Sequence, residues 1–81
     1  MHKAVARDLL RKARWTAPKI RMALRIIAYD GARNAAQVSA VLSAFAERSD
    51  EPSEAEAWRR AAAHLDREPA LATALYALRG F

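Results

Sequence analysis

The stretch Thr16–Gly31, TAPKIRMALRIIAYDG, decides the fold class. Ile20, Ala23, Leu24, Ile27 and Ala28 recur at i, i+3, i+4, i+7 and i+8, which makes one apolar face of an α-helix. Met22, Ile26 and Tyr29 form a second stripe beside it, and only Lys19, Arg21 and Arg25 interrupt the apolar surface. A helix apolar on most sides must be covered on most sides, so this segment is expected at the centre of a helical bundle. Thr16 is suited to cap its start, Pro18 is tolerated in its first turn, and Gly31 can take the left-handed conformation that closes a helix. Trp15, just before the cap, can pack across it as a hinge between two helices or stack on a nucleobase.

Upstream, a first helix is predicted over about residues 2–15. Val5, Ala6, Leu9, Leu10 and Ala13 make its apolar face. Arg7, Arg11 and Arg14 fall at i, i+4 and i+7, with Lys3 one turn earlier, so a basic stripe runs along another face. The stripe is either a solvated surface or a binding surface. Like charges one turn apart weaken a helix, which favours an acidic partner.

Downstream, Arg33 and Asn34 open a third helix, with Asn34 a plausible N-cap. Ala35, Val38, Val41, Leu42 and Phe45 give it an apolar face, and Ala36, Ala40 and Ala44 form a row of small residues. Such a row permits close helix approach, within the chain or against a second copy. Ser49–Ser53 is a polar break carrying Pro52. Ser53 and Glu56 match a capping box for a fourth helix reaching about Arg67. Trp58, Ala61, Ala62 and Leu65 should face inward, and Arg59, Arg60, Ala63 and Arg67 outward. His64 borders that core stripe with no second ligand beside it, the pattern of a boundary histidine. Pro69 ends or kinks this helix and a short one follows to Leu78, with Gly80 terminating it and Phe81 returning to the core. β-branched residues are scarce and apolar residues do not alternate. The expected architecture is all-α: a compact bundle of four main helices plus a short C-terminal helix, one domain over residues 1–81.

With 81 residues, roughly a quarter of them Ala, the core is thin. Leu24, Ile27, Leu42 and Phe45 are expected to carry much of the burial. A thin core favours self-association, so a homo-oligomer remains open.

Several chemistries lack their parts. The chain has no Cys, which removes disulfides and thiolate metal sites. Its two Gly stand apart, so there is no Gly-rich phosphate loop. The carboxylates sit near residue 50 and at helix ends, where solvation and capping account for them. No catalytic, cofactor-binding or metal-binding residue is assigned, and a non-enzyme is expected. No apolar run approaches the ~20 residues that cross a bilayer, and the N-terminus lacks the apolar core of a signal peptide. Val5, Leu9 and Leu10 are too few to anchor the first helix in a membrane surface. A cytoplasmic protein without a membrane partner is the expectation.

Charge is the informative functional feature. In residues 1–33 nine Lys and Arg stand against Asp8 and Asp30, a net of +7; in residues 34–81 five Arg stand against seven acids, a net of −2. Two functions fit. The first is a small helical protein-interaction module, an adaptor, inhibitor or regulator, meeting an acidic protein surface through Arg7, Arg11, Arg14, Trp15, Arg21 and Arg25. The second is a nucleic-acid-binding regulator of helix-turn-helix type, in which Arg33, Asn34 and Gln37 read base edges.

Overall fold

Four of the six helical segments start where a side chain satisfies a first-turn N–H. The computed structural model describes residues 1–79 and comprises α1 (Lys3–Lys12), α2 (Ala17–Asp30), a 3-10 turn (Ala35–Gln37), α3 (Val38–Arg48), α4 (Pro52–Arg67) and α5 (Pro69–Leu78). No strand occurs among the described residues. The roles expected of Gly80 and Phe81 lie outside them. His2 Nδ1 accepts from the Ala4 N–H at 3.1 Å, and Thr16 Oγ1 accepts from the Lys19 N–H at 3.3 Å. Asn34 Oδ1 accepts from the Gln37 N–H at 3.1 Å, so it caps the 3-10 turn that leads into α3.

The start of α4 differs from expectation. Glu51, not Ser53, is the N-cap, and its Oε1 accepts from the Ser53 N–H at 3.2 Å and the Ser53 hydroxyl at 2.9 Å. Pro52 takes the first helical position, where its missing N–H costs nothing and its fixed φ suits the helix. Glu56 pairs with Arg59 and Arg60 on the exposed face instead of reaching back to a cap.

The first helix is shorter than its periodicity suggests. It stops at Lys12 because Arg14 adopts φ 72°, the left-handed region. The Arg14 N–H then donates to the Arg11 carbonyl at 3.0 Å and the Trp15 N–H to the Leu10 carbonyl at 2.9 Å. This pair of bonds is a Schellman closure, and its usual apolar contact is met by Trp15 and Leu10, both buried. Val5, expected inside, is 52% exposed.

The centre of the molecule is α5, not α2. The last helix packs against every other helix and the 3-10 turn, whereas α2 packs mainly on α3 and α5. The buried side of α2 is Ala23, Ile26 and Ile27. Ile20, Met22 and Leu24 are half-buried, and Ala28 and Tyr29 face solvent. The sequence PALATALYAL of α5 contains no charge, so nothing forces one of its sides outward. Leu71, Leu75 and Leu78 fill the core while Ala72 and Ala74 let neighbours approach closely. With ten residues it is also as long as α1.

The larger fully buried side chains are Leu10, Trp15, Ile27, Val38, Leu42, Leu65, Leu75 and Leu78. Phe45 is half-buried and meets Trp58 edge-on, ring centroids 6.2 Å apart. Ala36, Ala40 and Ala44 are exposed, so the row does not mediate packing within the chain. The close approach of α3 to α4 is made instead by Ser39, whose hydroxyl donates to the Ala62 carbonyl at 3.1 Å.

Candidate functional site

Where α1 turns into α2, the chain leaves a half-open groove of about 530 Å³. Its apolar surface comes from Trp15, Ile20, Leu24 and Leu78, and Arg7, Arg11 and Arg21 line it as well. The local reason lies in two helix phases. Arg7 and Arg11 are one turn apart on α1, so they share a face. On α2 the inward side is taken by Ala23, Ile26 and Ile27, which leaves Ile20 and Leu24 half-covered at the flank with Arg21 beside them. The αL turn at Arg14 redirects the chain from α1 into α2, so that residues of both helices line the groove.

The guanidinium groups of Arg7, Arg11 and Arg21 have no acidic partner among the described residues. Three arginines of the other half are paired. Arg48 bridges Asp30 at 2.8 Å, Arg59 meets Glu56 at 3.4 Å, and Arg60 meets Glu56 at 3.2 Å. Arg48, Arg59 and Arg60 are thus neutralised locally, whereas the three arginines at the groove meet no carboxylate among the described residues.

The six residues singled out as partner-binding divide as follows. Arg7, Arg11 and Arg21 come together with Trp15 around the groove. Trp15 is only 2% exposed, so it contributes to the floor without projecting from the surface. Its indole N–H is bonded to His64, and the Lys19 ammonium lies 4.0 Å from the ring centroid. Burial lowers the Lys19 pKa from its ordinary value. Arg14 and Arg25 are exposed but do not line the groove; Arg14 left the stripe when α1 ended early, and Arg25 stands one turn beyond Arg21.

Arg33, Asn34 and Gln37 are brought together, in a capping network. Gln37 Oε1 accepts from the Arg33 N–H at 2.7 Å while Asn34 Oδ1 accepts from the Gln37 N–H. The Tyr76 hydroxyl donates to the Arg33 carbonyl at 2.7 Å and pins this loop to α5. Bidentate reading of adenine needs an amide oxygen and its NH₂ together, and here both amide oxygens are engaged by the backbone. The connection spans residues 31–37, longer than the turn of about three or four residues in a helix-turn-helix.

Thr16, Ala17, Ile20, Leu24 and Leu78 line the groove without having been singled out in the sequence as a site. Leu78 arrives from the far end of the chain, and no local signal announces it. The signal for Ile20 and Leu24 was their place beside Arg21 at the edge of an over-wide apolar face. No group of His, Asp and Glu suited to a metal ion exists among the described residues, and no helix there is long and apolar enough to cross a membrane.

Fold and groove together define a small all-α fold with a basic, apolar-floored cleft. No family model, curated protein or solved structure matches the chain.

Proposed function

We propose that this chain is a small non-enzymatic helical interaction module, an adaptor, inhibitor or regulator, that docks on a partner protein with an acidic surface. The observation that carries this reading is the grouping around an apolar floor of three arginines, Arg7, Arg11 and Arg21, that are unpaired among the described residues. Arginine is well suited to planar pairing with carboxylates, and an apolar strip beside it supplies the desolvated contact that holds a complex together. Complementary charge speeds encounter, and the buried apolar contact slows departure.

A nucleic-acid-binding regulator is the second reading, favoured by the same unpaired arginines. It fits the groove less well. A phosphate backbone gains nothing from Trp15, Ile20, Leu24 and Leu78, and Asn34 and Gln37 are occupied in capping.

The test is a tagged pull-down from native lysate, with and without nuclease, eluted across a salt gradient. One stoichiometric protein that survives nuclease and is lost from the Arg7→Gln/Arg11→Gln/Arg21→Gln variant supports the module. Recovery of nucleic acid alone, with steep salt dependence, overturns it in favour of the second reading.

A further inference from the structure

We infer that the element seated in this groove is an amphipathic helix of the partner protein, with an apolar stripe flanked on both sides by Asp or Glu. The inference rests on the interaction-module reading above and adds the form and chemistry of the docking segment.

Three features specify that occupant. The first is the arrangement of charge. Arg7 and Arg11 lie one turn apart on α1, separated by about 6 Å along the axis. Arg21 lies on α2, and Arg25 continues that row one turn further along the same helix. Arg7 and Arg11, at the helical repeat on one wall, and Arg21 on the other thus flank the cleft, with Arg25 outside its lining. A helix carrying carboxylates at i and i+4 on one flank and a carboxylate on the other presents charge to match.

The second feature is the floor. Trp15, Ile20, Leu24 and Leu78 offer apolar surface between these arginines, and the cleft has the size of an ordinary ligand pocket, about 300–1,000 Å³. A helix laid along it buries its own stripe there while its flanks stay with the arginines.

The third feature is the backbone of the walls. Both walls are helices, whose interior N–H and C=O groups are already paired. The groove has no strand edge to complete. An extended segment would set its own peptide groups over an apolar floor without partners, whereas a helix satisfies them internally. The matching of charge, apolar strip and backbone demand selects a helix over an extended acidic tail.

The test uses calorimetric titration of the intact protein with three synthetic helix-forming peptides of equal length. The first carries Leu at i, i+3, i+4 and i+7 with Glu on both flanks. The second replaces Glu with Lys, and the third keeps Glu but replaces Leu with Ser. The first should bind with a dissociation constant in the micromolar range, at least about tenfold tighter than either control, and more weakly as salt rises. The Arg7→Gln/Arg11→Gln/Arg21→Gln variant should lose about tenfold for the first peptide, with its helical circular dichroism and melting unchanged. Equal binding of the lysine peptide, equal binding of the serine peptide, or an unaffected triple variant overturns the inference. A lysate partner that depends on the three arginines, together with no binding of the acidic peptide, overturns the helix and leaves the module reading standing. Recovery of nucleic acid alone removes both.

Discussion

The indole Nε1–H of Trp15 donates to Nδ1 of His64 at 3.2 Å, joining the α1–α2 turn to α4 across 49 positions of sequence. The rings are tilted at 31° with centroids 6.3 Å apart, and Nε2 of His64 lies 3.5 Å from a Glu68 carboxylate oxygen. With Nδ1 accepting, the imidazole hydrogen sits on Nε2 and points at Glu68. Trp15 is buried, so its N–H has no alternative partner. His64→Ala should therefore cost about 1–2 kcal/mol by orphaning a buried donor. His64→Gln, which can present an amide oxygen, should recover part of that loss. Urea unfolding followed by tryptophan fluorescence checks both, and an unchanged midpoint for His64→Ala would show that the bond carries no weight.

The two left-handed positions among the described residues make a natural pair. Gly31 closes α2 at φ 74°, and Arg14 closes α1 at φ 72°. Glycine adopts that region freely, while a side chain costs about 1–2 kcal/mol there. Arg14→Gly should stabilise the fold by about 0.5–1 kcal/mol, the relief being partly offset by the freer unfolded chain. Gly31→Ala should destabilise by about 1 kcal/mol, although open space surrounds the position, because the strain is in the backbone. Thermal melts resolve shifts of this size, about 4–8 °C per kcal/mol in a domain of this length. A lower melting temperature for Arg14→Gly would mean that the arginine side chain supports the turn by some contact of its own.

The same turn shows what could be seen beforehand and what could not. The five helices, the caps at Thr16 and Asn34, and the inward face of α4 follow from local signals, since capping and periodicity act within a few residues. The end of α1 is not local in that sense. Nothing in RKARW marks Arg14 for φ > 0; the burial of Trp15 against Leu10 and His64 sets it. The centre of the bundle was misplaced for a related reason. Ile-rich α2 is longer and carries more bulky apolar side chains, but Arg21 and Arg25 hold one side at the surface, while α5, half of it alanine and threonine, has no charge. At the groove, the arginine spacing on α1 was legible, whereas the contribution of Leu78 depends on how the last helix is placed.

That ordering of helices has a measurable consequence. Leu75, fully buried in α5, should cost about 2–5 kcal/mol on truncation to alanine. Leu24, half-buried at the groove, should cost clearly less. Such a domain has only about 4–12 kcal/mol of total stability, so Leu75→Ala should be near unfolding at 37 °C while Leu24→Ala remains folded. Comparable losses in the two variants, measured by denaturant unfolding, would return α2 to the centre.

Lys19 links stability to pH. Desolvation by burial lowers its pKa below 10.5, against the pull of the Trp15 ring face on the charged form. The unfolded chain therefore holds this proton more tightly than the folded one. The charged ammonium burdens the fold at neutral pH, and the burden is lifted as pH rises through the folded value towards 10.5. Relative to Lys19→Met, which titrates nothing at that position, the wild-type protein should gain stability across that window; other groups cancel in the comparison. A difference that moves the opposite way would show that the indole holds the charge more strongly than burial expels it.

The division between paired and unpaired arginines predicts opposite responses to the same substitution. Arg48 holds Asp30 at 2.8 Å, and that carboxylate is only 19% exposed. Arg48→Gln leaves it without its partner and should lower stability by about 0.5–1 kcal/mol. Arg7, Arg11 and Arg21 hold no carboxylate among the described residues, and they add to a net charge of +5. Replacing all three with Gln keeps helix propensity and removes repulsion between Arg7 and Arg11, so stability should stay within about 0.5 kcal/mol or rise. The fold thus gives no reason for these three charges, and any loss of partner binding in the triple variant is a loss of recognition. A triple variant that melts well below the wild type would instead make the arginines structural and withdraw them from the interaction argument.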